Sequence, residues 1–396
     1  MVKKRTIQII LGEPLCINMP DTPIKRGLEG VVVTESDLSY IDGLKGILIY
    51  RGYSIEELAE KSNFEEVLYL LWHGTLPDAK SLTEFSDNLK NNRELPDGVL
   101  QTIVELANQN ETPMAALRTI VSMLSGYESN VESPIDPALV LQQGICITAK
   151  MPTILAAFDR ARNGEKIISP RKDLSHAANF LYMLTASEPD ETKTNTLDTA
   201  LILHCDHGIN ASTFAARVTV STLSDLHSAI ASAIGTLAGP LHGGANQRVM
   251  TMLLEIDASS SDPITWVKKQ IEKGKKIPGF GHRVYKTKDP RATILGAMSE
   301  ELGTAAGDSR WHEYSVSIED YLAQEKKLAS NVDFYSASAY YQLGIPIDLY
   351  TPIFALSRIG GWVGHVIEQY SENRLIRPRA NYTGPLDSKY IPIDQR

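Results

Sequence analysis

From Ser54 onward, apolar positions recur three and four residues apart, the spacing that places them on one face of a helix. Ser54 followed by Glu57 forms a capping box that opens SIEELAE. Asn63 stands where it caps FEEVLYLLWHG, in which Phe64, Val67, Leu68 and Leu71 make the apolar stripe and Gly74 the stop. The same reading predicts helices at 81–91, 96–109, 113–125, 137–162, 173–186, 194–203, 210–222, 225–238, 244–257, 263–273, 290–305, 310–328, 334–343 and 352–371. Before residue 50 the pattern differs. β-branched residues and glycines in GLEGVVVTES (27–36) and IDGLKGILIYRGY (41–53) predict a short strand or hairpin region, turning at Asp42-Gly43 and Lys45-Gly46. Period-two alternation is nearly absent afterwards, so the chain reads as mainly α with a short N-terminal β segment. Polar stretches at 126–136 and 187–194 predict a loop and an exposed turn. The helix at 225–238 is rich in Ala, Ser and Gly, so neighbours can approach closely and it should lie deep. Tight packing explains that composition but not the polar LHGGANQR placed directly after it.

Composition narrows the function classes. With 396 residues, 43% hydrophobic and 22% charged, the chain suits a globular protein of more than one domain. A net charge of -9 argues against a broad nucleic-acid footprint but leaves room for a local basic pocket that takes a small polyanion. Cys16, Cys146 and Cys205 are too few and too scattered for a disulfide framework or a zinc site, so a reducing cytoplasm is expected. The apolar run at 7–11 is too short for a signal peptide or a membrane span, and Glu13 follows it. No membrane partner is expected.

Three segments carry candidate chemistry. In GPLHGGANQ, Pro240 restricts the backbone before His242, and Gly243-Gly244 permit a tight turn into the next helix. A histidine at a helix N-terminus is favoured in its neutral form, and a neutral imidazole can donate an N–H to a developing enolate oxygen. Taken alone, His242 also suits a loop ring bonded to a backbone carbonyl. In PGFGHRVYKTKDPRA, Gly279 and Gly281 would expose backbone N–H groups near His282, Arg283, Lys286 and Lys288. Asp289-Pro290 starts a helix with Arg291 in its first turn, where an arginine is locally unfavourable and points to a bound anion. The spacing is neither G-x-G-x-x-G nor a Walker loop, which excludes those nucleotide readings, and a solvated basic loop remains the plain alternative. Asp333 precedes FYSASAYYQLG, so it is either an N-cap or a carboxylate base. His204 and His207 in HCDHG could share a helical face, but no third ligand accompanies them, and no metal is expected. Arg358 sits in an apolar helix and needs an anionic partner; Arg377 and Arg379 are either part of an anion site or a solvated tail.

Together these segments resemble the citrate synthase family. The resemblance runs from GLEGVVVTES to RPRANYTGP (377–385) and includes YRGYSIEELAE, HCDHGINASTFAARV, GPLHGGANQ, PGFGHRVYKTKDPRA, NVDFYSASAYYQLGIP and FALSRIGGWVGHVIEQ in order. It implies a homodimer of nearly all-helical subunits. Each would have a large domain (1–239 and 339–396) and an inserted small domain (240–338) that closes over the substrates. It implies condensation of acetyl-CoA with oxaloacetate, then hydrolysis of the thioester, with no tightly bound cofactor and with CoA as product. By the resemblance Asp333 takes the methyl proton, His242 donates to the thioester oxygen, and His282 polarises the oxaloacetate carbonyl. His207, Arg291 and Arg358 match oxaloacetate-binding positions, and Arg377 matches an arginine acting across the subunit interface. Lys286, Gly279 and Phe280 match the loop that contacts CoA. Some members carry an NADH-sensing extension before the GLEG-type segment; about 26 residues precede it here, so inhibition through such an extension is not expected. The alternatives are 2-methylcitrate synthase, which uses propionyl-CoA with the same residues, and a non-catalytic metabolite-binding protein on the same fold. Retention of His242, His282 and Asp333 together argues against the second.

Overall fold

The computed structural model describes residues 24–127 and 135–396. The apolar run at 7–11, Cys16 and most of the loop expected at 126–136 lie outside the described residues. Residues 36–396 form one compact unit, and described residues 24–35 belong to a separate one.

Within 24–35 the expected strand is absent. Arg26–Leu28 makes a single 3-10 turn, and Val31, Val32 and Val33 are exposed. Among the described residues no strand pairs with them, and β-branched propensity without a pairing partner does not make a strand. The hairpin does form further on. Ser39–Asp42 pairs antiparallel with Ile47–Tyr50, which pairs in turn with Tyr53–Ser54. Asp42 Oδ1 accepts the N–H groups of Leu44 and Lys45, both at 3.0 Å, and so closes the turn.

Sixteen α-helices follow among the described residues, from Ile55–Lys61 to Tyr350–Ser371. Local caps set most ends. Ser54 Oγ accepts Glu57 N–H, Asn63 Oδ1 accepts Glu66 N–H, and Gly74 ends Phe64–His73 in the left-handed region. At two starts that differ from expectation, a cap explains the difference. Asp190 takes Lys193 N–H and starts Glu191–His204 three residues early, while Ser175 takes Ala178 N–H and starts His176–Thr185 three residues late.

The core is helix on helix. Leu226–Leu237 packs against Ala211–Val220, Pro113–Leu124 and Tyr350–Ser371, with Ala229, Ile230, Ala233 and Ile234 fully buried. Pro137–Arg162 is long and apolar enough to span a membrane, but most of it is buried inside the protein, as in a core helix. The hairpin turn docks on the segment after His282: Lys286 N–H donates to Gly43 O at 2.8 Å, and a side chain at position 43 would strike the Val284 carbonyl.

Candidate active site

The site is built where five loop-to-helix junctions meet. The first is the turn after Glu191–His204. His204 turns its ring away from any shared ligand position: Nδ1 lies 2.7 Å from Ala200 O, and the ring meets Phe354 edge-on. Its carbonyl accepts Arg358 Nε–H at 2.7 Å, and the Arg358 guanidinium lies over the Phe354 ring. Arg358 is buried and forms no ion pair among the described residues. Burial lowers its pKa, the signature of a cation short of an anion. His207 is half-buried; its ring packs edge-on against His282 with centroids 5.2 Å apart, and Nε2 lies 3.4 Å from Tyr285 Oη. Burial first, then the charge of Arg291, holds the His207 pKa well below the ordinary histidine range.

His282 occupies the second junction. Its Nδ1 accepts the backbone N–H groups of Val284 at 3.0 Å and Tyr285 at 3.1 Å. A backbone N–H can only donate, so the neutral ring carries its proton on Nε2. Burial, reinforced by Arg291, lowers its pKa to about 4. The Gly281 amide is not left for an anion as expected. Gly281 N–H is occupied by Ala329 O, Phe280 bridges Ser330, and Asn331 Nδ2 donates to Gly281 O at 2.9 Å. These bonds tie the His282 and Asp333 segments together. Gly279, at φ +82°, leaves no room for a side chain against Phe334 and Val249, and Phe280 packs on Phe334. Lys286 is exposed.

Arg291 has its anion inside the chain. Asp289 clamps it bidentately, with Nε at 3.0 Å from Oδ1 and Nη2 at 2.8 Å from Oδ2, and the pair is buried. Burial opposes both charges, yet each partner holds the other ionised: the Asp289 pKa is lowered and that of Arg291 raised. The unfavourable first-turn arginine is thus explained locally, and Asp289 is more than a helix start.

Asp333 is not the N-cap. Asn331 Oδ1 accepts Asp333 N–H at 3.0 Å, and the helix runs Val332–Gln342, two residues earlier than expected. The Asp333 carboxyl is thereby released from capping. Burial raises its pKa to about 6 against the fields of Arg291, Arg248 and Arg358. It is therefore a stronger base than an ordinary carboxylate, yet mostly ionised at neutral pH.

His242 lies in the turn before Ala245–Ser259, but its ring meets a different helix. Nε2 accepts Ser212 N–H at 3.2 Å, in the first turn of Ala211–Val220, with Ser212 Oγ at 2.9 Å. The neutral ring then carries its proton on Nδ1, free to donate. Burial, then Arg358, lowers its pKa to about 4, so burial rather than the following helix keeps it neutral. Ser212 was missed in the sequence; the helix start at Asn210-Ala211-Ser212 was visible, but not the ring 30 positions away that would use its amide. A cavity of about 540 Å³ borders the same loop, lined by Pro240, Gly243, Gly244 and Arg248 among others; His242, His282 and Asp333 do not line it.

Arg291 and Arg358 both act on His207 and Asp333; of the two, Arg291 alone acts on His282 and Arg358 alone on His242. Arg377 is not brought in: it is exposed on the C-terminal extended segment and makes no hydrogen bond or ion pair among the described residues. Two neutral N–H donors, one poised carboxylate and two buried guanidiniums can remove a proton next to a carbonyl and fix a dicarboxylate beside it.

Residues 27–379 match the family model described as citrate synthase, C-terminal domain. The citrate synthase of Haloferax volcanii is 60% identical over 94% of this chain and 99% of its own length, and citrate synthase 2 of Bacillus subtilis is 49% identical over 94% and 99%. A 2-methylcitrate synthase of Shewanella oneidensis is 40% identical over 93% and 97%. Among solved structures, the citrate synthase of Pyrobaculum aerophilum superposes with a TM-score of 0.86 at 42% identity over 100% of both chains. A ternary complex of carboxymethyl coenzyme A and oxaloacetate with citrate synthase from Thermoplasma acidophilum superposes with a TM-score of 0.87 at 35% identity, over 94% of this chain and 100% of that one.

Proposed function

The chain belongs to the citrate synthase family, and from that premise we propose how its residues divide the condensation of acetyl-CoA with oxaloacetate. It is an acyltransferase-type enzyme that forms citrate, as relatives of 43% to 60% identity over nearly its full length do. Arg358, Arg291 and His207 hold oxaloacetate, with Arg358 supplying a buried cation that forms no ion pair among the described residues. Asp333 takes a methyl proton from acetyl-CoA. His242 donates its Nδ1–H to the thioester oxygen and stabilises the enol or enolate electrostatically. That carbon attacks the ketone carbon of oxaloacetate; His282 polarises the carbonyl through its Nε2–H and protonates the developing alkoxide, and the proton held by Asp333 then restores the neutral imidazole and the carboxylate. Water then hydrolyses the thioester of citryl-CoA, releasing citrate and CoA. The observation that carries this reading is the Asp333 carboxyl, poised at about 6 in the field of two buried arginines whose charges also act on His242 and His282, two imidazoles whose tautomers leave a donor each.

Further assignments rest on the same reading. Residues 240–338 form the small domain, which closes over the substrates and excludes water until condensation has occurred. Gly279 and Phe280 pack the loop that meets CoA, and exposed Lys286 offers its phosphates a cation. No cofactor is tightly bound. Two copies form a dimer in which Arg377 of each reaches the other's site, which suits an exposed arginine that makes no hydrogen bond or ion pair among the described residues. Scattered cysteines suit the cytoplasm. The test of substrate is CoA-thiol release with oxaloacetate, comparing acetyl-CoA with propionyl-CoA. We expect kcat/KM for acetyl-CoA to exceed that for propionyl-CoA by about tenfold or more, within the reach of one methyl in a pocket. Equal or better use of propionyl-CoA overturns the choice of acetyl-CoA.

A further inference from the structure

The turn 204–208 delivers three groups to the oxaloacetate side of the site: the His204 carbonyl that holds Arg358, the Cys205 carbonyl that accepts Gly361 N–H, and the His207 ring. Between them sits Asp206, wholly buried and reaching no proposed substrate position. A buried carboxylate is costly unless its partners hold it ionised, so this one needs an account. Its Oδ2 accepts Ser39 Oγ–H at 2.5 Å and Gly208 N–H at 3.1 Å. Its Oδ1 lies 3.3 Å from Nε2 of His365, which is also wholly buried. Room for the carboxylate comes from Gly361, where a side chain would come within 2.5 Å of Oδ1. The other nitrogen of His365, Nδ1, accepts from Arg217 Nη1 at 3.1 Å. A guanidinium can only donate, so the neutral ring carries its proton on Nε2, facing Asp206. Arg217 is itself held by Glu368 at 2.8 Å and Gln369 at 3.1 Å. Tyr50 clasps the Asp206 backbone from the hairpin, its hydroxyl donating to Asp206 O at 2.8 Å and accepting Asp206 N–H at 3.1 Å.

We propose that Asp206 and His365 form a buried positioning pair that sets the 204–208 turn, and through it His207 and Arg358, for oxaloacetate. Neither residue touches the reacting atoms. The pair fixes where the turn stands on the helix Tyr350–Ser371, which carries both His365 and Arg358, so the two oxaloacetate ligands share one anchor. The inference rests on the reading of His207 and Arg358 as oxaloacetate ligands.

The test compares purified full-length wild type, His365→Leu, His365→Gln and Ser39→Ala by CoA-thiol release, oxaloacetate titration calorimetry and thermal melting. Loss of the Nε2–H should raise the oxaloacetate KM of His365→Leu by about tenfold, while kcat and the acetyl-CoA KM stay within about twofold, the pattern of lost ground-state binding. Glutamine offers an amide N–H to Asp206 and a carbonyl to Arg217, so His365→Gln should return oxaloacetate affinity to within about threefold of wild type. If His365→Leu does not fold, Ser39→Ala decides: removing the hydroxyl on Oδ2 should weaken oxaloacetate binding by about threefold in a folded protein. Variants that bind oxaloacetate as wild type does, raise both KM values alike, or show no rescue by glutamine overturn the positioning role while the site reading stands. A wild type that neither binds nor turns over oxaloacetate sinks both.

Discussion

Each imidazole of the acid/base set has one nitrogen fixed by a backbone amide: His242 Nε2 by Ser212, and His282 Nδ1 by Val284 and Tyr285. With both pKa values lowered to about 4, the rings are neutral donors at pH values well above 4. The acid limb therefore belongs to Asp333. Because the base must be ionised, kcat/KM for acetyl-CoA should rise with pH up to about 6, level off above it, and fall about tenfold per unit below. An acid limb near 4 in that profile, or a decline between 6 and 7.5, contradicts the assignment. The same shift carries a cost in stability. The folded state holds the Asp333 proton more tightly than the unfolded chain, whose value is 3.8, so ionisation weakens the fold as pH rises from there to about 6. At this scale the sequence offered Asp333 two roles, and the Asn331 cap removes the capping one. Arg291 looked like a cation awaiting an external anion because Asp289, two residues away, was read as a helix start alone. Ser212 was illegible because periodicity reports which face is buried, not which distant ring an amide will meet.

Elements place these residues by close approach. The His242 loop is pressed against the end of Leu226–Leu237, so a side chain at Gly243 would strike the Leu237 carbonyl and come within 2.8 Å of Thr351. Gly243→Ala should therefore cost about 1–3 kcal/mol in denaturant unfolding, as overpacking does. It should also lower kcat by at least about tenfold, since His242 is the next residue and small misplacements are expensive in rate. Wild-type kcat in a folded Gly243→Ala protein contradicts this role for the loop. The ladder from Gly281 and Phe280 to Ala329 and Ser330 makes the His282 and Asp333 segments one structural piece. Helix existence was legible throughout, and Pro137–Arg162 falls on its expected limits, because caps and stripes are local signals. The segment 27–36 was not legible, because a strand depends on a partner that no local pattern supplies.

For the whole molecule, motif order from GLEGVVVTES to RPRANYTGP gave the family before any contact was known, and the helical architecture follows it. The proposed dimer is tested through Arg377. If Arg377 acts across the interface, mixing Asp333→Asn with Arg377→Ala subunits must rebuild intact sites. Each hybrid dimer has one site with both residues native, so re-equilibrated mixtures should recover about a quarter of wild-type activity from two nearly inactive parents. Recovery absent despite demonstrated subunit exchange places Arg377 outside the partner's site. The proposed chemistry depends first on the Asp333 carboxylate. The measurement that tests it most directly is CoA-thiol release from acetyl-CoA and oxaloacetate by Asp333→Asn beside wild type, with oxaloacetate binding measured on the same samples. The account predicts a loss in kcat of about 10²–10⁴-fold, the contribution of a general base, with oxaloacetate affinity retained; turnover near the wild-type rate would contradict it.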